Sequence, residues 1–385
     1  MSTSFQDCPT VALAAVDLFC GAGGLTHGLQ LAGVDVRAGF DVDPDCRFPY
    51  EQNNNAEFVE SDVRQVTSRA VESWFGEGEF RALAGCAPCQ PFSTYGRPKR
   101  ATDDRKWELL REFGRLVVET NPHLVTMENV PQLADHPVLR EFLSVLRGYH
   151  VWSDLVDCAD LGVPQSRKRL VLLASRLGPI SLQVQSTRRE VTVRDTIASL
   201  KPLSAGASDP DDPLHVACKL SQLNMARIRA SSPGGSWRDW PEALRSPCHI
   251  RATGETFPSV YGRMEWDTAA PTITTQCFGF GNGRFGHPSQ DRAITLREAA
   301  MLQTFPRRYA FVKPGYPVRF STLGRLIGNA VPVRLGEILG RCLREHVRRV
   351  TWTAEGPFLE QTTKPARSRT TESGGHGRVS LNNRN

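Results

Sequence analysis

From Val11 to about Ser175 the chain alternates short apolar runs with stretches whose apolar residues recur every three or four positions. Val11–Phe19, apolar but for Asp17, predicts a buried strand, and Leu25–Ala32 predicts the helix after it. Val34–Phe40 predicts a second strand and Phe58–Glu60 a third. Phe80–Ala84, Leu124–Met127 and Leu170–Ala174 supply more, with helical patterns near 106–119 and 137–147 between them. Repetition of strand, helix and strand implies parallel pairing with helices on both faces. The expected fold is α/β, a doubly wound, mostly parallel sheet whose ligands bind at the carboxyl ends of its strands.

The pattern changes near residue 186. Residues 203–292 are rich in Pro, Gly, Ser, Trp and Arg and show little periodicity, which predicts a smaller, irregular, β-containing domain. Helical spacing returns at Thr295–Gln303 and from Val333 to about Val350. The expected division is therefore 11–185, the first part of a catalytic and cofactor-binding domain, 186–292, the inserted domain, and 293–350, the closing part of the first. Residues 351–385 are polar and almost without large apolar side chains, so a disordered tail is expected there.

Composition narrows the class. A 40% hydrophobic and 23% charged chain of 385 residues is ordinary for a soluble protein, and a net charge of +6 favours a polyanionic partner. No run of eighteen apolar residues argues for a membrane span, and Met1–Asp7 lacks the basic start of a secretory signal. Ten scattered cysteines in a chain of this length read as reduced, cytoplasmic thiols.

Phe19-Cys20-Gly21-Ala22-Gly23-Gly24 closes the first strand and opens the first helix. Glycines there permit positive φ and a close backbone approach to a ligand, although a tight turn alone has the same composition. Thr26 stands where a dinucleotide fingerprint needs its third glycine, and nothing provides for a pyrophosphate. Asp41, with Val42 beside it, ends the second strand, where an acid can bind ribose hydroxyls. Asp62 and Val63 end the third, where a carboxylate can accept from an adenine amino group. A nucleoside such as S-adenosylmethionine fits this set better than NAD.

The densest chemistry lies in Gly85-Cys86-Ala87-Pro88-Cys89-Gln90-Pro91-Phe92-Ser93. Cys89 follows an apolar run, so its thiol stands at a strand mouth and not in the core. Cys86 and Cys89 have the spacing of a redox pair or half a zinc site, but no second C-x-x-C or H-x-x-x-H follows, so no metal is expected. With Asp17-Leu18-Phe19-x-Gly21-x-Gly23-Gly24 upstream and Glu128-Asn129-Val130 downstream, the chain resembles the DNA cytosine-5 methyltransferase family. The resemblance covers roughly 14–175 and 292–345. It includes Gln165-Ser166-Arg167-Lys168-Arg169, Arg297-Glu298, Leu302-Gln303-x-Phe305-Pro306 and Gly328-Asn329-Ala330-Val331-Pro332.

The resemblance implies a Rossmann-like S-adenosylmethionine-dependent fold with a target-recognition domain at about 186–292. It implies Phe19, Gly21, Gly23 and Gly24 at the methionine part of the cofactor, Asp41 at ribose (where the family usually has glutamate) and Asp62 at adenine. Asn329 and Ala330 complete the pocket, because the segment carrying them folds back beside the glycine loop. Cys89 becomes the nucleophile that attacks cytosine carbon 6. Glu128 contacts N3 and the exocyclic amine, while Arg167 and Arg169 orient the base and the thiolate. The proton-removing base is left to water. The target must leave the double helix to reach Cys89.

Pro271–Thr275 resembles a short element beside the displaced base, and Arg227, Arg229, Arg238, Arg245, Arg251, Arg263 and Arg284 make the inserted segment basic. Lys99, Arg100, Arg105 and Lys106 follow the cysteine loop. The implied partner is double-stranded DNA, with a cognate restriction endonuclease acting on the same site and a monomeric enzyme. A tRNA-methylating branch carries the same catalytic motifs, but Cys277-Phe278-Gly279 departs from its Cys-Phe-Thr element. An inactive DNA-binding relative is the other alternative.

Overall fold

The strands form because their apolar residues serve two faces at once. In the computed structural model, which describes residues 12–88, 107–183, 189–251 and 259–354, β1 (Leu13–Leu18) is buried along its whole length. Leu13 and Ala15 pack on one side of the sheet; Val16 and Leu18 pack on the other. This period of two, apolar on both faces, is what a central strand of a covered sheet requires.

Seven strands make the main sheet: β1, β2 (Asp35–Asp41), β3 (Glu57–Glu60), β4 (Phe80–Gly85), β5 (Leu124–Asn129), β6 (His150–Asp157) and β7 (Lys168–Ser175). Their spatial order is β3-β2-β1-β4-β5-β7-β6. The first five pair in parallel, as expected. The last two do not: β7 is antiparallel to both β5 and β6. The reason is the short connection between β6 and β7, a tight 3-10 turn at Cys158–Leu161 that leaves no room for a crossover helix. Because β7 is reversed, its beginning, Lys168 and Arg169, lies at the edge where the parallel strands end.

Helices cover both faces. On one, α1 (Gly24–Leu31) packs against the last helix, α11 (Val333–Ala354). A Cβ on Gly28 would stand 2.3 Å from the Val333 carbonyl oxygen, and one on Gly336 2.9 Å from that of Leu25. The absent side chains let the two helices nearly touch, which seats the closing segment on the first βα unit. This last helix runs to Ala354, four residues past its expected end, and residues 355–385, the rest of the expected tail, lie outside the described residues. On the other face, α4 (Glu108–Thr120) buries Leu110, Phe113, Leu116, Val117 and Thr120, a stripe at helical spacing, against the sheet and α5 (Pro137–Val145). Smaller helices α2 (Arg47–Asn53) and α3 (Ser68–Glu72) lie in the connections around β3.

The inserted segment holds α6 (Val193–Ile197), the hairpin β8 (Ser208–Asp209) and β9 (Asp212–Val216), α7 (Gln222–Arg229) and α8 (Pro247–Ile250). Its own small core joins Ile228, Trp237, Trp240, Phe280 and Ala293. Val193, Ile197, Leu200 and Leu214 instead share a cluster with Leu296, Leu302 and Ile327, from α9 (Leu296–Leu302) and α10 (Phe320–Asn329). Among the described residues, no helix is long and apolar enough to cross a membrane.

Candidate active site

The chain leaves β1 for β2 and β3 on one side of the sheet, then returns to place β4 on the other. The gap between the carboxyl ends of β1 and β4 is therefore a topological switch point, where such sheets bind ligands. Register sharpens the picture. Leu18 stands beside Phe40 and Gly85, and Gly85 beside Met127. One residue further along each strand come Phe19, Asp41, Cys86 and Glu128. The sheet thus brings the glycine loop, the proposed ribose acid and the Glu-Asn-Val motif to a single edge.

On the β1 side, Phe19 takes φ 60°, a left-handed conformation that a bulky residue adopts only when its surroundings enforce it. Gly21 and Gly23 follow at φ 53° and 88°. The Gly21 N–H donates to Asp41 Oδ2 (2.9 Å) and the Asp43 N–H to Asp41 Oδ1 (3.0 Å). Burial raises the Asp41 carboxyl while these N–H groups pull against it. A Cβ on Gly21 would meet nothing within 4 Å, so the loop faces open space there. A Cβ on Gly24 would stand 2.3 Å from the Val331 carbonyl oxygen and 3.5 Å from Ala330. The segment with Asn329 and Ala330 therefore does fold back onto the glycine loop. The Tyr309 hydroxyl fixes the loop from the far side by donating to the Ala22 carbonyl at 2.6 Å.

The adenine side differs in one respect from expectation. Val42, after Asp41, is exposed, and Val63, after Asp62, is buried. Asp62, however, already accepts from the Arg64 backbone N–H and Nε, each at 3.0 Å. Arg64 holds the Asp62 carboxyl below its usual range. An adenine amine would have to share Asp62 with this arginine.

Asp17 lies behind the loop, fully buried. Thr26 donates to its Oδ2 at 2.7 Å, and Oδ1 has no partner among the described residues. Burial, the largest cause, pushes its carboxyl up to about 7. The folded state then holds this proton more tightly than the unfolded chain, whose aspartates titrate near about 3.9. The resulting stability is full below pH ~4 and is lost as pH rises through about 7. Asp17→Asn has no proton to lose, so its melting temperature gains on the parent's between pH 5 and pH 8. An equal difference at both pH values contradicts the assignment.

On the β4–β5 side, Glu128 is buried at the end of β5 with 3% exposure. Arg169 Nε lies 2.8 Å from Glu128 Oε1, and the Cys86 thiol donates to Glu128 Oε2 at 2.8 Å. The neighbouring Asn129 amide donates to the Ala87 carbonyl at 3.0 Å. Adjacent residues of β5 thus grip Cys86 and Ala87, just ahead of Pro88. Cys89 itself, and Lys99, Arg100, Arg105 and Lys106, lie outside the described residues. Among the described residues, no cluster of His, Cys, Asp or Glu could hold a metal ion.

Arg167 sits elsewhere. It is buried and donates to the carbonyls of Ile273 (3.1 Å), Gly328 (3.3 Å) and Ala330 (3.3 Å). Gln165 completes the junction. Its Oε1 accepts from Ile273 N–H at 2.8 Å, and its Nε2 donates to Gln303 Oε1 at 2.9 Å. Gln303 in turn donates to the Ile327 carbonyl at 2.8 Å. Four motifs far apart in sequence therefore meet in one buried hydrogen-bonded knot behind the pocket. The sequence showed these glutamines as motif letters; their shared burial in apolar surroundings is the only hint of the knot.

Several of the arginines that make the inserted segment basic are committed to the protein. Arg227 and Arg263 are buried: Arg227 Nε bonds the Leu244 carbonyl (2.9 Å), and Arg263 bonds the carbonyls of Ser231 (2.9 Å) and His287 (3.0 Å). Arg245 caps the Trp240 carbonyl, Arg284 bonds that of Gly234, and Arg229 pairs with Asp291. Arg238 lies over the Trp237 ring, and Arg251 is exposed. Arg227 and Arg263 turn inward because a loop-rich domain with few ladders uses guanidinium groups to satisfy its buried carbonyls.

Residues 13–345 match the model of the family described as C-5 cytosine-specific DNA methylase. The chain is 48% identical over 338 residues to the Type II methylase M.HgiDII of Herpetosiphon aurantiacus, covering 86% of this chain and 95% of that one. It is 31% identical over 357 residues to the Type II methyltransferase M1.BsuMI of Bacillus subtilis, covering 86% and 80%. Among solved structures it resembles a candidate DNA modification methyltransferase encoded within an Escherichia coli prophage (TM-score 0.68, 21% identity, 87% and 99% covered). It also resembles the methyltransferase EhMeth of Entamoeba histolytica (TM-score 0.60, 15% identity, 87% and 98% covered).

Proposed function

The chain belongs to the C-5 cytosine-specific DNA methylase family, and from that premise we propose that it methylates a flipped-out cytosine in duplex DNA through a covalent bond between Cys89 and carbon 6. The observation that carries this reading is the convergence of Glu128, Arg169 and the Cys86–Ala87 segment at the strand edge that also holds the glycine loop. It is a DNA cytosine-5 methyltransferase of the Type II modification kind.

Carbon 5 of cytosine is too weak a nucleophile to take a methyl group unaided. Attack of the Cys89 thiolate on carbon 6 forms an S–C bond and pushes electron density onto carbon 5. Glu128 assists by contacting N3 and the exocyclic amine, and Arg169 holds that carboxyl in place. S-adenosylmethionine, when bound, supplies the electrophilic methyl that carbon 5 takes. Loss of the carbon 5 proton to solvent then returns the electron pair, breaks the S–C bond and frees Cys89.

The residues present suit that cofactor. Phe19, Gly21, Gly23 and Gly24 would hold the methionine part, Asp41 the ribose, Asp62 with Val42 and Val63 the adenine, and Asn329 and Ala330 the closing wall. The open space at Gly21 and the exposed Val42 support this assignment. Arg167 takes a positioning role, since its bonds go to the backbone of the closing segment. Residues near 186–292 serve target recognition in this reading, and a cognate endonuclease cutting the same sequence is the implied partner.

Fluorine cannot leave carbon 5 as a cation, so a duplex pool in which 5-fluorocytosine replaces cytosine blocks the final elimination. Intact-mass measurement should then find a cofactor-dependent protein–DNA adduct. Methylation of ordinary DNA without any adduct on the fluorinated pool would remove the covalent step.

A further inference from the structure

We infer that Cys86 is a positioning residue for Glu128, a role that neither the redox nor the zinc reading of its C-x-x-C spacing provides. The inference rests on the reading of Glu128 as the group that meets the cytosine.

Cys86 is itself firmly placed. Its backbone N–H donates to the Leu18 carbonyl at 3.3 Å, continuing the β1–β4 ladder one residue past the strand. The next carbonyl, that of Ala87, is held by Asn129. From this anchored position the thiol reaches Glu128 Oε2 at 2.8 Å, while Arg169 Nε reaches Oε1 at the same distance. The carboxyl group thus accepts a hydrogen bond from the thiol at one oxygen and is paired by charge alone with a guanidinium at the other. Rotation about the Glu128 Cγ–Cδ bond would break the thiol's bond, the one directional contact of the two.

Two donors of unequal strength suit the task. A carboxylate oxygen has two lone pairs, so Oε2 keeps one for the exocyclic amine while it accepts from the thiol. Arginine contributes a permanently charged contact; a thiol is a weak donor that yields when the exocyclic amine competes for the same oxygen. Cys86 thus orients the carboxyl before the base arrives without holding it against the base afterwards. Orientation of this kind enters the reaction through the chemical step, because a misdirected carboxyl still permits binding of cofactor and DNA.

The test compares Cys86→Ala, Cys86→Ser and Glu128→Gln in the full chain with labelled S-adenosylmethionine and duplex DNA containing the methylated sequence. Cys86→Ala should lower kcat by about 10-fold or more, the scale of one lost hydrogen bond to a charged group. Cofactor KM and melting temperature should stay at the parental values. Cys86→Ser, which restores a donor, should recover most of the loss. Parental kcat in Cys86→Ala overturns the inference, as does a serine variant no better than alanine, or a loss that only follows a lowered melting temperature. Glu128→Gln separates the two levels. If it is inactive while Cys86→Ala is unimpaired, only the role of Cys86 fails. If Glu128→Gln keeps parental kcat, the reading of Glu128 fails first.

Discussion

Cys89→Ser is expected to remove methyl transfer by about 10⁴-fold or more, because a neutral hydroxyl does not replace a thiolate as the attacking group. Affinity for S-adenosylmethionine should stay within a few fold, since the groups assigned to the cofactor follow β1, β2 and β3 or lie on the closing segment at Asn329 and Ala330, whereas Cys89 follows β4 in the chain. Kcat and cofactor affinity, measured on the same preparation, check both halves. Substantial turnover by the serine variant would show that the base is activated without a covalent bond. Loss of cofactor binding together with turnover would instead mark Cys89 as part of the pocket's architecture.

The second large effect is structural. Arg167→Ala deletes three bonds to carbonyls, those of Ile273 and Gly328 in buried surroundings and that of Ala330, which Gln303 still reaches at 3.3 Å. Burial first, and then the neighbouring Arg169 charge, pull the Arg167 guanidinium down to about 10. A buried acceptor left without its donor costs about 1–3 kcal/mol. A fall in melting temperature of several degrees is therefore expected, together with weaker cofactor binding, because Ala330 is one of the carbonyls released. A variant that melts with the parent and binds cofactor normally, but turns over slowly, would return Arg167 to the reacting base, where the sequence had placed it.

The reversal of β7 also shows why two arginines given one role on sequence alone have different surroundings. Arg167 and Arg169 are two residues apart at the start of a strand, so on sequence alone both share one fate. In the structure Arg169, within the ladder beside Val156, faces Glu128, while Arg167 lies before the strand and turns into the knot with Ile273 and Gly328. Only the antiparallel course of β7 brings either of them to the edge where β5 ends. That course depends on β6, which the apolar pattern did not show. As an edge strand with most side chains at least partly exposed, β6 has no continuous buried run to betray it. Helix α10 was hidden for another reason: Gly324 and Gly328 weaken its pattern, and they are there because Phe278 and the Thr274–Thr275 backbone press against it.

The central strands were legible because burial on both faces demands uninterrupted apolar runs, as in Leu13–Leu18 and Leu124–Met127. The glycine loop, Asp41 and Glu128 were legible because each follows such a run directly. The partners of those groups were not. Nothing in the sequence says that Asp62 is shared with Arg64, that Cys86 reaches Glu128, or that Arg227 and Arg263 turn inward, since these depend on which chain segments fold together.

The most direct test of the account is base-resolution sequencing, after bisulfite conversion, of a random-sequence duplex DNA pool treated with the protein and S-adenosylmethionine. Protected cytosines confined to one short sequence context, and absent with Cys89→Ser, are the predicted result. A pool in which no cytosine is protected, although the protein binds the cofactor, would contradict it.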